Sequence, residues 1–239
     1  MYSGSTHPYP RTLAGVPCLI AEPSSPSASR PVVLWCHGFR ADALAHAAEL
    51  ELCAAAGFLA VGIDAVGHGA RIDALLSARV VHSTGGAMPV MLECVEQTAR
   101  ELPGLIDALD GAYDIDRTRV SLVGISMGAF LAYRAVVSGL PLRAVVALLG
   151  SPEWPSETSA HRSPDAFRRV ALLSITAQHD VSVPPSPAIR LDIQLGLSAQ
   201  TADARPHHHY ELRGARHLTT ADEWHRAMRV TLQWLQRMG

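Results

Sequence analysis

Five short apolar runs, separated by segments long enough for helices, constrain the fold of this chain more than any other sequence feature. Each run is continuous rather than alternating, as is typical of strands buried on both faces of a parallel sheet. The runs cover residues 32–36, 59–64, 120–125, 144–149 and 170–176, and residues 208–212 are predicted as the last strand. This order predicts an α/β fold with a mostly parallel sheet and helices on both faces.

The segments between the strands have the composition and spacing of helices. We predict helices at residues 42–56, 88–110, 126–138 and 220–237, with Pro103 interrupting or kinking the second of them. Residues 22–31, rich in Ser and Pro, are predicted as a loop between an early strand and the core. A length of 239 residues with 48% hydrophobic content predicts a single domain spanning residues 1–239.

Composition excludes several classes of function. The formal net charge is −2, so the chain lacks the electrostatic footprint of a nucleic-acid-binding protein. All 20 basic residues are Arg, which rules out a catalytic lysine, a Schiff base and a phosphate-loop lysine. We expect no cofactor and no bound metal.

We expect neither a secretory signal nor a membrane-spanning segment. Residues 1–10 are polar and contain proline, unlike a secretory signal, and no apolar stretch approaches 18 residues. Cys18, Cys36, Cys53 and Cys94 form no C-x-x-C pair, and we expect them to be reduced and mostly buried. A cytoplasmic protein, monomeric or a small homo-oligomer, is the resulting expectation.

The most specific motif is G-I-S-M-G at residues 124–128, which lies directly between a predicted strand and a predicted helix. A nucleophilic serine on such a sharp turn projects above the sheet, and the flanking glycines avoid collisions between strand and helix. The sequence therefore predicts Ser126 as a nucleophile. A strand-to-helix turn with a capping serine is the structural alternative.

From residue 32 to its C-terminus the chain resembles the α/β-hydrolase superfamily. It is most similar in style to small esterases and to dienelactone-hydrolase-like or prolyl-oligopeptidase-like members. It departs from dienelactone hydrolase itself, whose nucleophile is a cysteine where this chain has Ser126. The resemblance implies a serine hydrolase with a minimal lid.

The resemblance also implies the partners of the serine, because the acid and then the histidine follow it along the chain in this family. Asp180 lies at the end of the run at 170–176, and His217 follows the last predicted strand. His179 is predicted as a loop residue. A turn or capping role is the alternative for Asp180, and the tract at residues 207–209 is a poor metal chelate because strand neighbours point to opposite faces.

The segment H-G-F at residues 37–39 resembles the oxyanion loop of this family. The resemblance assigns the two oxyanion donors to the backbone N–H groups of Phe39 and Met127. His37 is expected to be structural. The segment D-A-V-G-H-G at residues 64–69 resembles the turn that shapes the floor of the site, and its spacing matches no metal signature that we recognise.

Residues 70–86 and 151–164 are predicted as lid segments, neither of them long enough for a large cap. Arg40, Arg71, Met88 and Trp154 are predicted substrate-binding residues, and Trp224 is also expected near the pocket. We expect hydrolysis of a small or medium carboxylic ester through an acyl-enzyme. Hydrolysis of thioesters, peptides or C–C bonds, acyl transfer, and a non-catalytic ligand-binding role remain alternatives.

Overall fold

The sheet of this protein contains eight strands in the described part of the chain. The computed structural model describes residues 7–24, 29–198 and 204–239, so part of the predicted loop at 22–31 and most of the N-terminal segment lie outside the described residues. The strands are β1 Tyr9–Leu13, β2 Val16–Ala21, β3 Arg30–Cys36, β4 Leu59–Ile63, β5 Ile115–Ile125, β6 Ala144–Leu148, β7 Ala171–Ala177 and β8 His207–Leu212.

Their spatial order is β1-β2-β4-β3-β5-β6-β7-β8. The strands from β4 to β8 pair in parallel, whereas β2 pairs antiparallel with both β1 and β4. All six predicted strands are present. The α/β fold with a mostly parallel sheet is therefore confirmed, and the antiparallel hairpin of β1 and β2 is an addition to it.

Helices cover both faces of the sheet. They are α1 Ala47–Ala55, α2 Leu76–His82, α3 Ala87–Tyr113, α4 Met127–Val137, α5 Ser186–Ser198 and α6 Ala221–Met238. Buried residues of α1 and α6 pack on one face, together with alternate β3 residues such as Val33 and Trp35. Buried residues of α2, α3, α4 and α5 pack on the other face, where Leu34 also points. Both sheet faces are therefore buried, as the continuous apolar runs require.

Two details differ from the sequence prediction. The first helix begins at Ala47 rather than at Asp42, whose carboxylate instead accepts the Ala45 N–H of a short 3-10 turn at 2.9 Å. The helix α3 continues through Pro103, so the predicted interruption is wrong. Proline removes one backbone hydrogen bond, and the ten buried residues along α3 stabilise the helix against that loss.

The last helix begins at a capping box. The Thr220 hydroxyl accepts the Glu223 N–H, and the Glu223 carboxylate accepts the Thr220 N–H at 2.7 Å. This arrangement satisfies two N–H groups at the helix start and fixes where the chain leaves the segment that carries His217. Among the described residues, no helix combines the length and apolar character needed to cross a membrane.

Candidate active site

The serine of the G-I-S-M-G motif lies between β5 and α4 in a strained backbone conformation. Ser126 has φ of 51° and ψ of −111°, a region that residues with a side chain rarely occupy. Its N–H donates to the Leu148 carbonyl at 2.8 Å, and the Gly128 N–H donates to the His37 carbonyl at 3.1 Å. These bonds hold the turn against β6 and against the end of β3, so the strain is fixed by its surroundings.

The structure brings together the three side chains predicted as a catalytic group. Ser126 Oγ lies 3.0 Å from His217 Nε2, and His217 Nδ1 lies 2.6 Å from Asp180 Oδ2. A carboxylate only accepts hydrogen bonds, so Nδ1 carries a proton that it donates to Asp180. In the neutral imidazole this leaves the lone pair of Nε2 free to accept the Ser126 hydroxyl proton.

The carboxylate of Asp180 is buried and further held by the loop that carries it. Its side chain is 1% exposed, whereas that of His217 is 23% exposed, so only the imidazole faces solvent. The second carboxylate oxygen accepts the N–H groups of Ser182 and Val183 at 2.9 and 2.8 Å. These three hydrogen bonds orient the carboxylate toward the imidazole.

Backbone hydrogen bonds tie the aspartate loop to the histidine loop. The His179 N–H donates to the Ala215 carbonyl at 2.8 Å, and the Gln178 N–H donates to the Leu212 carbonyl at 3.1 Å. His179 thus contributes its backbone, in agreement with its prediction as a loop residue. Because both loops follow neighbouring parallel strands, the sheet itself places the two side chains at one edge.

The loop after β3 passes close to the serine. A Cβ at Gly38 would lie 3.7 Å from the Cβ of Ser126, which shows how closely the two backbones approach. The first N–H groups of a helix have no partner within the helix, and Met127 is the first residue of α4. Within the described part of the chain, the N–H groups of Phe39 and Met127 donate to no backbone carbonyl.

His37 connects this loop to the neighbouring strand end. Its Nδ1 donates to the Gly38 carbonyl at 2.8 Å, and its Nε2 accepts the Ala65 N–H at 3.1 Å. The ring is therefore neutral, and burial lowers its pKa below 6.5. His68 and Asp64 lie on the neighbouring turn. The electrostatic effect of His68 lowers the pKa of His37, whereas that of Asp64 raises it.

The buried neutral His37 predicts a loss of stability in acid. Below pH 6.5 the unfolded chain binds a proton at this residue that the folded chain excludes, so the free energy of unfolding falls as the pH falls. We expect the urea unfolding midpoint of the wild type to fall between about pH 7.5 and about pH 5.5. A His37→Gln variant should lose less over the same interval.

His209 is the matched control. Burial also lowers the pKa of its ring, but His209 lies on a different strand, β8, and hydrogen-bonds to Thr176 at 2.8 Å. His209→Gln should reduce the pH dependence independently, and the two effects should add in the double variant. An unchanged pH dependence in His37→Gln would contradict the assignment of a buried neutral ring.

The predicted substrate-binding residues occupy different environments. Arg40 is exposed and lines a cavity of about 390 Å³. The guanidinium of Arg71 instead binds Glu101 with two hydrogen bonds of 2.9 and 3.1 Å. Met88 is half-buried against the core, and Trp154 is only 5% exposed and packs on Phe130. Only Arg40 among these four therefore lines that cavity.

The cavity beside Arg40 is lined by residues of two segments that the sequence analysis placed around the site, the turn at 64–69 and the lid segment at 70–86. His68, Ile72 and Leu76 line it together with Arg40, and the ring of Phe39 packs on that of His68 with centroids 5.2 Å apart. The turn motif at residues 64–69 contains His68, whereas Ile72 and Leu76 belong to the segment at 70–86. The predicted lid segment at 70–86 contains α2. The indole of Trp224 instead packs on the face of the sheet that α1 and α6 cover, where it donates to Glu49 at 2.7 Å.

The four cysteines are buried and form no disulfide. Burial raises the pKa of the Cys36 and Cys53 thiols to about 12, which keeps them protonated and poorly nucleophilic. Of the tract at 207–209, His207 binds Asp192 at 2.7 Å and His209 binds Thr176. The Ser126 hydroxyl, in contrast, contacts a histidine that is hydrogen-bonded to a carboxylate.

Comparison with known proteins links this geometry to solved structures. No protein-family model and no curated protein sequence matches the chain. Among solved structures, TT1662 from Thermus thermophilus is 23% identical, with a TM-score of 0.75 and coverage of 96% of both chains. A dienelactone hydrolase-like promiscuous phosphotriesterase from metagenomic libraries is 17% identical, with a TM-score of 0.70, covering 97% of this chain and 99% of that one.

A puromycin-hydrolyzing peptidase of Mycobacterium tuberculosis is also similar, at 17% identity and a TM-score of 0.73. It covers 99% of this chain, but this chain spans only 40% of that peptidase. At these identities the likeness concerns the arrangement of the backbone. Together with the strand order and the serine turn between β5 and α4, it identifies the architecture of this chain as the α/β-hydrolase fold.

Proposed function

We propose that this protein is a serine hydrolase that cleaves a small or medium carboxylic ester through an acyl-enzyme. The observation that carries the proposal is the hydrogen-bonded series of Ser126, His217 and Asp180, with distances of 3.0 and 2.6 Å. A nucleophile bonded to a base that is in turn oriented by a carboxylate is the arrangement that activates a hydroxyl group.

In the proposed mechanism, Ser126 Oγ attacks the ester carbonyl carbon while His217 Nε2 takes the hydroxyl proton. Asp180 holds the imidazole in the required tautomer and stabilises its protonated form. The N–H groups of Phe39 and Met127 donate to the oxyanion of the tetrahedral intermediate, each contributing about 3–4 kcal/mol. His217 then donates its proton to the leaving alcohol, and water attacks the acyl-enzyme by the same steps.

Two further observations support this proposal. The similar solved structures named above include a phosphotriesterase and a peptidase, which are hydrolases by their descriptions. The cavity of about 390 Å³ beside Arg40 adjoins the loop after β3 that carries Phe39 (the Phe39 loop). Its wall includes the apolar side chains Ile72 and Leu76. This size suits a short acyl or alcohol group better than a long lipid.

The first test is the intact mass of the protein after incubation with a fluorophosphonate. We expect one adduct on the wild type, none on Ser126→Ala and much slower labelling of His217→Ala. Ser138→Ala is the matched control, because Ser138 lies at the other end of α4 and its hydroxyl donates to the Ala135 carbonyl at 2.8 Å. That variant should label like the wild type.

A folded wild type that forms no adduct, or a Ser126→Ala variant that still forms one, would overturn the proposal. The substrate range is then measured with p-nitrophenyl acetate, butyrate and decanoate. We expect the two short esters to be cleaved with a higher kcat/KM than the decanoate, because the cavity beside Arg40, next to the loop that carries Phe39, is small.

A further inference from the structure

Four arginines lie in a row at the edge of the sheet opposite Ser126. Arg117 lies near the start of β5, Arg143 immediately precedes β6, and Arg169 and Arg205 each lie two residues before β7 and β8. These strands are consecutive neighbours and parallel. Their amino ends therefore share one edge, with strands about 4.8 Å apart.

The four arginines line a single cavity of about 690 Å³. One wall is apolar and comes from the end of α4, the segment after it and the residue before β7. It is formed by Val136, Val137, Leu140, Leu142 and Val170. A concave surface with an apolar wall and a few convergent polar groups has the character of a small-molecule site.

The charge of this cavity is mostly uncompensated. Arg117 binds Asp107 and Asp110, and Arg143 donates through Nε to the Met238 carbonyl at 2.8 Å. The side chains of Arg169 and Arg205 have no hydrogen-bond or ion-pair partner within the described part of the chain. Asp165 is the one acidic residue in the lining, and it binds Arg168 at 3.0 Å, outside the lining.

Backbone hydrogen bonds hold the segments that carry these arginines. The Arg143 N–H donates to the Val120 carbonyl at 2.7 Å, and the Ala171 N–H donates to the Arg143 carbonyl at 3.2 Å. The Arg205 N–H donates to the Arg168 carbonyl at 2.9 Å. The Cα positions of the row are thus set by the sheet, and binding an anion requires only that side chains reorient.

We propose that this cavity binds a small organic diphosphate, with the linked phosphates on Arg169 and Arg205 and an apolar group against Val136 and Leu140. Guanidinium groups match phosphate oxygens through paired N–H donors. Two adjacent cations that have no acidic partner among the described residues favour two linked phosphates over a single one. The site lies at the amino ends of the strands, so it is independent of hydrolysis at Ser126.

The test is isothermal titration of the full-length protein with inorganic pyrophosphate, geranyl diphosphate and orthophosphate. We expect pyrophosphate to bind about tenfold more tightly than orthophosphate, and geranyl diphosphate to bind more tightly than pyrophosphate. Arg169→Gln and Arg205→Gln should each weaken binding of pyrophosphate about tenfold. Both residues are exposed, so neither substitution disturbs the core.

Arg229→Gln is the control, since Arg229 is an exposed residue of α6, outside the lining of this cavity. It should leave the affinity unchanged. The proposal is overturned if pyrophosphate gives no binding heat, if orthophosphate binds equally well, or if Arg229→Gln weakens binding as much as Arg169→Gln and Arg205→Gln. Labelling by the fluorophosphonate reports separately on Ser126, so a failure of one proposal leaves the other standing.

Discussion

Asp180→Asn is expected to lower kcat by about 10⁴-fold on any ester that the wild type cleaves. The new amide can still accept the N–H groups of Ser182 and Val183 through its oxygen. Its NH2 group then faces His217 Nδ1, which must become the acceptor. The ring proton consequently moves to Nε2, and the imidazole can no longer accept the proton of Ser126.

A second histidine–aspartate pair provides the matched control. His207 Nδ1 lies 2.7 Å from Asp192, nearly the same contact as in the site, but on β8 and α5. Asp192→Asn should keep the kcat of the wild type. The two variants are compared by steady-state kinetics, with circular dichroism to verify that both are folded. Similar losses in the two variants would show that the effect of Asp180 is not specific to the site.

Gly124→Ala is expected to lower the free energy of unfolding by about 3 kcal/mol. A Cβ at this position would lie 1.9 Å from the Gly128 carbonyl oxygen and 2.7 Å from the Ala129 nitrogen. Both are backbone atoms of the first turn of α4, which cannot move without displacing Ser126. The variant should also label slowly with the fluorophosphonate.

Gly104→Ala is the control, because Gly104 lies inside α3 and is exposed. Among the described residues, a Cβ added there would meet no atom within 4 Å outside its own helix. Alanine loses less backbone freedom than glycine in a helix, so this change should raise the free energy of unfolding by about 0.5–1 kcal/mol. Urea unfolding measures both variants. A Gly124→Ala protein as stable as the wild type would contradict the close contact at the turn.

Sequence alone predicted the sheet well because its central strands are buried on both faces. Such strands are continuous apolar runs, and β3 to β8 were all found from them or from their position in the chain. The strand β1 was not located because three of its five residues are exposed and it lies at the edge. The helix α5 was missed because its apolar residues include the exposed Ile193 and Leu197.

The three residues that meet in the candidate site could also be predicted, since each follows a strand and their order along the chain matches that of the superfamily that the chain resembles. Side-chain environments could not. The partner of Arg71 is Glu101, 30 residues away in α3, and the packing of Trp154 on Phe130 joins segments that no local pattern relates. Their roles in substrate binding stay predictions, and of the four residues only Arg40 lines the cavity near the Phe39 loop.

The burial of α4, the helix that follows Ser126, predicts the order in which parts of the protein unfold. The first seven residues of α4, from Met127 to Tyr133, are all buried, so this helix belongs to the centre of the structure. The opposite side of the site is peripheral: Val181 next to Asp180 is 92% exposed, and Leu218 next to His217 is 90% exposed. Regions with few buried contacts open first. Under mild denaturation the base and acid should therefore separate from an intact nucleophile turn, and inactivation should precede global unfolding.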